Sequence, residues 1–306
     1  MYPRWRFTLL ALAGGAVLAW LTWHSRADLL RVLSGVSLFW IAASVVAGVA
    51  LNVIYGLLFD RILSKYGGRP HPLLHVAVYL MSQPGKYLPG KLWQAVMQSI
   101  ALGGGQTGVA SVGVANIELS LAAVLHATGL GLACILVANP ALAILATIAT
   151  IAAGWALVQF PSGRALLALF PRLRGWLKTS AEKTHAPTSA FVLCLLTVGA
   201  LAANFAASWW LLIAAHTALS PLQLAHLLAS LWLGIAASLL ALPIPAGLGV
   251  REAAVAGLGT VLAPDVPTTT LISIALLARC WQLLVDMSSM FAGWLLWHAA
   301  RHAPAH

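Results

Sequence analysis

The residues of this 306-residue chain that could do chemistry are a few ionisable side chains set inside long apolar stretches. An ionisable group at the centre of a bilayer costs about 2.5–3.5 kcal/mol even on the mildest scale, so it usually faces a partner or a cavity. Arg279, Gln282 and Asp286 are spaced three and four residues apart, which places them on one helix face. The other ionisable residues of this kind are Lys86, Lys91, Glu118, Arg251 and Glu252.

Most of these residues lie at two interruptions of the apolar stretches. The first interruption, residues 82–91, separates Leu73–Met81 from Leu92–Leu102, and the second, residues 243–249, separates Leu222–Leu242 from Val250–Leu262. Both contain proline and glycine, which remove backbone donors and permit non-helical dihedrals, so we expect both helices to break there. A half-helix that begins after each break exposes unpaired N–H groups beside a cation, Lys91 or Arg251, and this combination suits a phosphate or carboxylate.

Three interpretations of these charges stay open. The first is internal ion pairing that holds the helices together, for example Arg279 with Asp286 and Arg251 with Glu252. The second is a proton or ion relay through Glu118, Asp286 and the histidines. The third is the anion site, which follows from the cations at the two helix starts.

Composition places these residues in an integral membrane protein. The chain is 61% hydrophobic and 8% charged, whereas an average soluble domain is about 25% charged. This excludes a soluble enzyme, a secreted disulfide scaffold and a disordered chain. The net charge of +10 fits basic cytoplasmic loops and not a nucleic-acid partner. No Walker loop, Gly-x-Ser-x-Gly motif or paired catalytic carboxylates occur. The pairs His71/His75 and His298/His302 have helical i, i+4 spacing, but the first lacks the glutamate of a zincin and both lie near membrane edges, so no metal site is expected.

The apolar runs predict an all-α fold with about six full spans and two re-entrant or broken helical hairpins. Eleven Lys and Arg residues then lie in cytoplasmic segments and two, Arg26 and Arg31, lie outside, so both termini are predicted to be cytoplasmic. The predicted spans are Phe7–Trp23, Leu38–Phe59, Thr107–Val137, Ala141–Phe160, Ser189–Ala215 and Thr268–Trp297.

The order of these segments predicts two inverted repeats within one membrane domain. Residues 1–137 form the first repeat with its broken helix at 82–91, and residues 138–306 form the second with its broken helix at 243–249. A cytoplasmic basic loop, 161–188, joins them. Corresponding Pro/Gly-interrupted segments in two halves of opposite orientation are typical of transporters. The alternative is that one or both broken regions cross the membrane fully, which gives seven or eight spans.

Two strings carry a family resemblance. Gln83-Pro-Gly-Lys-Tyr-Leu-Pro-Gly-Lys-Leu-Trp93 and Leu242-Pro-Ile-Pro-Ala-Gly-Leu-Gly-Val-Arg-Glu252 resemble the signature segments of the lysylphosphatidylglycerol synthase transmembrane-region family. This chain has Ala246-Gly247 where that family often has Gly-Gly. The positions that the resemblance carries over are Lys86, Tyr87, Pro89, Gly90, Trp93, Pro243, Gly247, Gly249, Arg251 and Glu252.

The resemblance implies a flippase-like membrane domain, here without the soluble aminoacyltransferase domain, so we expect no synthase reaction and no enzyme. The expected substrate is an anionic or polyprenyl-phosphate-linked lipid of the bacterial inner membrane; an oligomer is compatible with this, and no cofactor is expected. Lys91, Gln94 and Arg279 complete the predicted substrate site, and Glu118, Glu252 and Asp286 are predicted to balance its charge or to couple to protons. The alternative is a non-transporting scaffold subunit that recruits an envelope-lipid enzyme through the basic loop.

Overall fold

The computed structural model describes residues 34–66, 68, 70–87, 93–102, 109–159, 189–215, 219–241, 247 and 249–302, with the isolated positions 23, 26 and 30. Within these residues the secondary structure is helical and no strand occurs. The predicted first span apart from Trp23, the basic loop 161–188 and both chain ends lie outside them, as do Pro89, Gly90, Lys91 and Pro243. The nine α-helices of the described residues are α1 Leu38–Lys65, α2 Pro72–Met81, α3 Trp93–Ala101, α4 Val109–Ile135, α5 Pro140–Gln159, α6 Ala190–Ala214, α7 Pro221–Leu240, α8 Val250–Leu262 and α9 Thr268–His302.

Six of the described helices are long and apolar enough to cross a membrane, which confirms the predicted all-α class with about six spans. Five of them correspond to predicted spans, and the sixth is α7. This helix has 20 residues, which at 1.5 Å per residue is about the thickness of the hydrocarbon core. The length of α7 therefore favours a full membrane crossing by the second broken segment, which the sequence analysis gave as the alternative. By contrast, α2 and α3 have 10 and 9 residues and are each too short.

Local sequence signals explain where the helices begin. Ser220 and Gln223 form a capping box at the start of α7, where Pro221 occupies a position that needs no N–H donor. At the start of α2, Pro72 likewise occupies a position that needs no N–H donor, and the side chain of His71 caps the helix by accepting a hydrogen bond from Leu74 N. These caps fix the first helix of each broken segment.

The helices pack in a reciprocal pattern. Helix α2, the first helix of the first broken segment, packs on α9, while α7, the first helix of the second broken segment, packs on α4. Helices α1 and α6 pack along each other, and Ser44 Oγ donates to the carbonyl of Ala207 at 2.5 Å between them. In both cases a helix of one half packs on a helix of the other half, as expected for two inverted repeats. The inverted repeat itself stays a prediction.

Candidate functional site

The first break brings two polar side chains against the last helix. Helix α2 ends at Met81, and residues Gln83–Tyr87 continue as a 3₁₀ turn. From this turn Lys86 Nζ lies 2.8 Å from Asp286 Oδ1, and Tyr87 Oη donates to Asp286 Oδ2 at 2.5 Å. The break is therefore attached to α9 through both oxygens of one carboxylate.

Asp286 is fully buried in α9 and has a third donor on its own helix. Gln282 Nε2, one turn earlier, donates to Asp286 Oδ1 at 3.2 Å. A buried carboxylate is tolerated when it is paired and its oxygens accept hydrogen bonds. The Lys86 side chain is 29% exposed while Asp286 is 0% exposed, so the pair lies at the border between the protein interior and more open surroundings.

The second break ends at a glycine in the left-handed region. Gly249 has φ +79° and is the N-cap of α8, and Gly247 has φ +62°. Glu252 Oε2 accepts the Gly249 N–H at 2.9 Å, which satisfies one of the free donors at the helix start. A side chain at Gly247 would have its Cβ 2.9 Å from Ser238 Cα, so Gly247 lies directly against α7.

Arg279 joins this second break to α9. Its Nε donates to Glu252 Oε1 at 2.9 Å and its Nη2 donates to Glu252 Oε2 at 3.3 Å. The pair is therefore a bidentate guanidinium–carboxylate interaction. Nη2 also lies 3.4 Å from the carbonyl oxygen of Gly247. Because Arg279 and Asp286 share a face of α9, both breaks meet on that one helix.

Arg251 lies where the two breaks meet. It is the second residue of α8, is 4% exposed, and its Nε has no hydrogen-bond partner within the described residues. It interacts electrostatically with Arg279, Glu252, Tyr87 and Asp286. An arginine cannot lose its proton in a protein, so a buried positive charge with a free donor faces the junction. We call Lys86, Tyr87, Arg251, Glu252, Arg279 and Asp286 the charged junction.

The ion pairs differ from those that the sequence suggested as internal pairing. Arg279 pairs with Glu252 and not with Asp286, and Asp286 pairs with Lys86. Seven residues of helix separate Arg279 from Asp286 by about 10 Å, and the side chains of adjacent residues such as Arg251 and Glu252 point in different directions. Each carboxylate therefore pairs with a cation from another element.

Other predicted residues lie outside these contacts. Glu118 on α4 is fully buried and lies 2.8 Å from Lys65 Nζ, and it accepts a short hydrogen bond from Tyr66 Oη. Trp93 is 48% exposed at the start of α3, and Gln94 is half-buried beside it. The structure thus groups Glu118 with the end of α1, whereas the charged junction is built on α8, α9 and the first break.

The sequence reading missed a buried acid near the start of the first broken segment. Asp60 on α1 is fully buried; its Oδ1 accepts the His71 N–H at 3.0 Å and lies 2.6 Å from His75 Nδ1. A carboxylate directly after the predicted span Leu38–Phe59 was a usable signal for such an anchor. Within the described part of the chain, no group of three or more His, Cys, Asp or Glu residues could hold a metal ion.

Residues 8–287 match the family model described as lysylphosphatidylglycerol synthase TM region. The matched residues include both breaks and helix α9 through Asp286. No curated protein and no solved structure matches the chain.

Proposed function

Since the chain belongs to the lysylphosphatidylglycerol synthase transmembrane-region family, a membrane domain linked to lipid and envelope biology, we propose that it moves a lipid with an anionic head group between leaflets. The membrane is the bacterial inner membrane, with both termini cytoplasmic. The lipid is a phospholipid or a polyprenyl-phosphate glycolipid, and it leaves chemically unchanged. The chain has no nucleotide-binding motif, so transport is passive or driven by a gradient.

The observation that carries this proposal is the position of Arg251. Its guanidinium is buried at the N-terminal turn of α8, where backbone N–H groups and the positive end of the helix dipole also attract an anion. A buried charge that lacks a full set of partners is expensive, so an anion that enters the junction stabilises it. A phosphate group supplies the acceptor oxygens that Arg251 Nε lacks.

The two breaks supply the route for such a head group. Non-helical backbone at membrane depth is tolerated where protein covers it or where it lines a wet cavity. In transporters with discontinuous helices, the half-helix ends point at the substrate near the midplane. Here both breaks contact α9, through Asp286 for the first and Arg279 for the second, so movement of either break changes access to Arg251.

Transport can be measured directly in proteoliposomes. The probe is phosphatidylglycerol with a fluorescent label on its acyl chain, and dithionite bleaches only the label in the outer leaflet. We expect purified wild type to raise the rate of leaflet exchange and Arg251→Gln to reduce it to the rate of protein-free vesicles. The control Arg61→Gln removes a partly exposed arginine at the end of α1 and should keep the wild-type rate.

Two results would remove the proposal. The first is a folded Arg251→Gln protein, eluting as wild type on gel filtration, that exchanges the probe at the wild-type rate. The second is a recovered lipid of altered mass, which would indicate an enzyme acting on head groups. A lipid of unchanged mass together with loss of exchange in Arg251→Gln supports the transport function.

A further inference from the structure

The charges of the charged junction do not cancel. The described residues contribute three cations, Lys86, Arg251 and Arg279, and two carboxylates, Glu252 and Asp286. Each carboxylate already has one cation within 2.8–2.9 Å. The remaining positive charge belongs to Arg251, whose Nε has no partner in the described part of the chain.

Among the described residues of the charged junction one positive charge is in surplus, and this surplus sets a preference for the charge of a ligand. A head group with one negative charge neutralises the junction. A head group with two leaves one negative charge uncompensated among the buried Glu252 and Asp286 carboxylates, both of which are 0% exposed at the side chain. Uncompensated charge in a buried site is strongly unfavourable. A neutral or zwitterionic head group brings no net charge, so the positive charge of Arg251 stays uncompensated.

We infer that the charged junction selects lipids by head-group charge and takes monoanions, such as lipids whose only charged group is one phosphodiester, in preference to doubly charged phosphate monoesters and diphosphates. This inference rests on the proposed function and narrows its substrate class. It separates lipids with a single phosphodiester from diphosphate-linked polyprenyl lipids, both of which are anionic. The determinant is the balance of the two ion pairs and Arg251.

The test compares three acyl-labelled lipids in the proteoliposome assay. They are phosphatidylethanolamine, phosphatidylglycerol, and phosphatidic acid at about pH 8.5, where a phosphate monoester is doubly charged. We expect wild type to exchange phosphatidylglycerol at least about tenfold faster than phosphatidic acid, since a factor of ten corresponds to only about 1.4 kcal/mol. The pH is the same for all three lipids, so each rate refers to one state of the protein.

A charge-changing variant makes the test specific. Asp286→Asn removes one negative charge and keeps an oxygen that accepts from Tyr87, so the surplus rises to two and preference should shift at least about tenfold toward phosphatidic acid. The double variant Lys86→Gln/Asp286→Asn removes the whole ion pair and leaves the surplus at one. Its ratio of phosphatidylglycerol to phosphatidic acid should therefore equal the wild-type ratio, and it also covers the case in which the single variant does not fold.

The outcomes separate the inference from the proposed function. If wild type exchanges none of the three lipids above the protein-free rate, the transport function is wrong. If wild type exchanges phosphatidylglycerol and phosphatidic acid equally, transport stands and the charge selection is overturned. An unchanged ratio in folded Asp286→Asn, or a ratio in the double variant that differs from wild type by tenfold, also overturns it.

Discussion

The ion pair between Arg279 and Glu252 allows a sharp test of how the second break is held. Arg279→Gln leaves the Glu252 side chain, which is fully buried, without its cation. Removal of one partner of a buried pair costs about 3–5 kcal/mol. For a domain of roughly this size each kcal/mol lowers Tm by about 2–4 °C. We therefore expect Arg279→Gln to lower Tm by roughly 6–20 °C.

The assay is thermal unfolding in mild detergent, followed by tryptophan fluorescence, with a double variant as the decisive comparison. In Arg279→Gln/Glu252→Gln neither position of the pair carries a charge, so neither partner is left as an unpaired ion, and the amide oxygen at position 252 can still accept from Gly249 N. We expect the double variant to recover more than half of the lost Tm. Arg61→Gln is the control: its side chain is 34% exposed and its Nε lies 3.9 Å from Asp60 Oδ2, beyond hydrogen-bond distance, so we expect a smaller loss of Tm than in Arg279→Gln. A double variant at least as unstable as Arg279→Gln would refute the reasoning.

Two further predictions concern the ends of the broken segments. Gly247→Ala should destabilise the protein by about 1–3 kcal/mol in the same unfolding assay, because φ is +62° and the new Cβ would lie 2.9 Å from Ser238 Cα. The control Gly257→Ala should be neutral or stabilising, because its new Cβ has open space. Equal Tm shifts in the two variants would contradict this prediction. Asp60→Asn should speed hydrogen exchange of the α2 amides by about tenfold to a hundredfold, since a hydrogen bond to a charged group contributes about 1.5–3 kcal/mol. Unchanged exchange would show that the contact to His75 does not hold α2.

Hydropathy and turn chemistry were sufficient to predict the fold class and the broken segments. Apolar runs of spanning length predicted the helices, and the prolines and glycines of residues 82–91 and 243–249 predicted where helices stop. The helical period alone placed Arg279 and Asp286 on one face. These are local properties, which is why a single sequence reveals them.

The pairing of charges could not be predicted, because it depends on tertiary packing. Lys86 and Asp286 are 200 residues apart, and nothing in the local pattern says that the first break lies against the last helix. The prediction for α7 depended on an analogy. Its 20 residues are long enough to span the membrane, but the similarity of the two broken segments suggested a re-entrant helix like the much shorter α2. Asp60 lies directly after the predicted span Leu38–Phe59, and only packing brings it into contact with His71 and His75.

The central claim is that the charged junction binds an anionic lipid, and native mass spectrometry of the purified protein tests it most directly. Wild type and Arg251→Gln are extracted in the same mild detergent, with Arg61→Gln as control, and bound lipids are identified after ejection. The account predicts one singly anionic lipid retained by wild type and the control and lost from Arg251→Gln. The same mixture of lipids on all three proteins would contradict it.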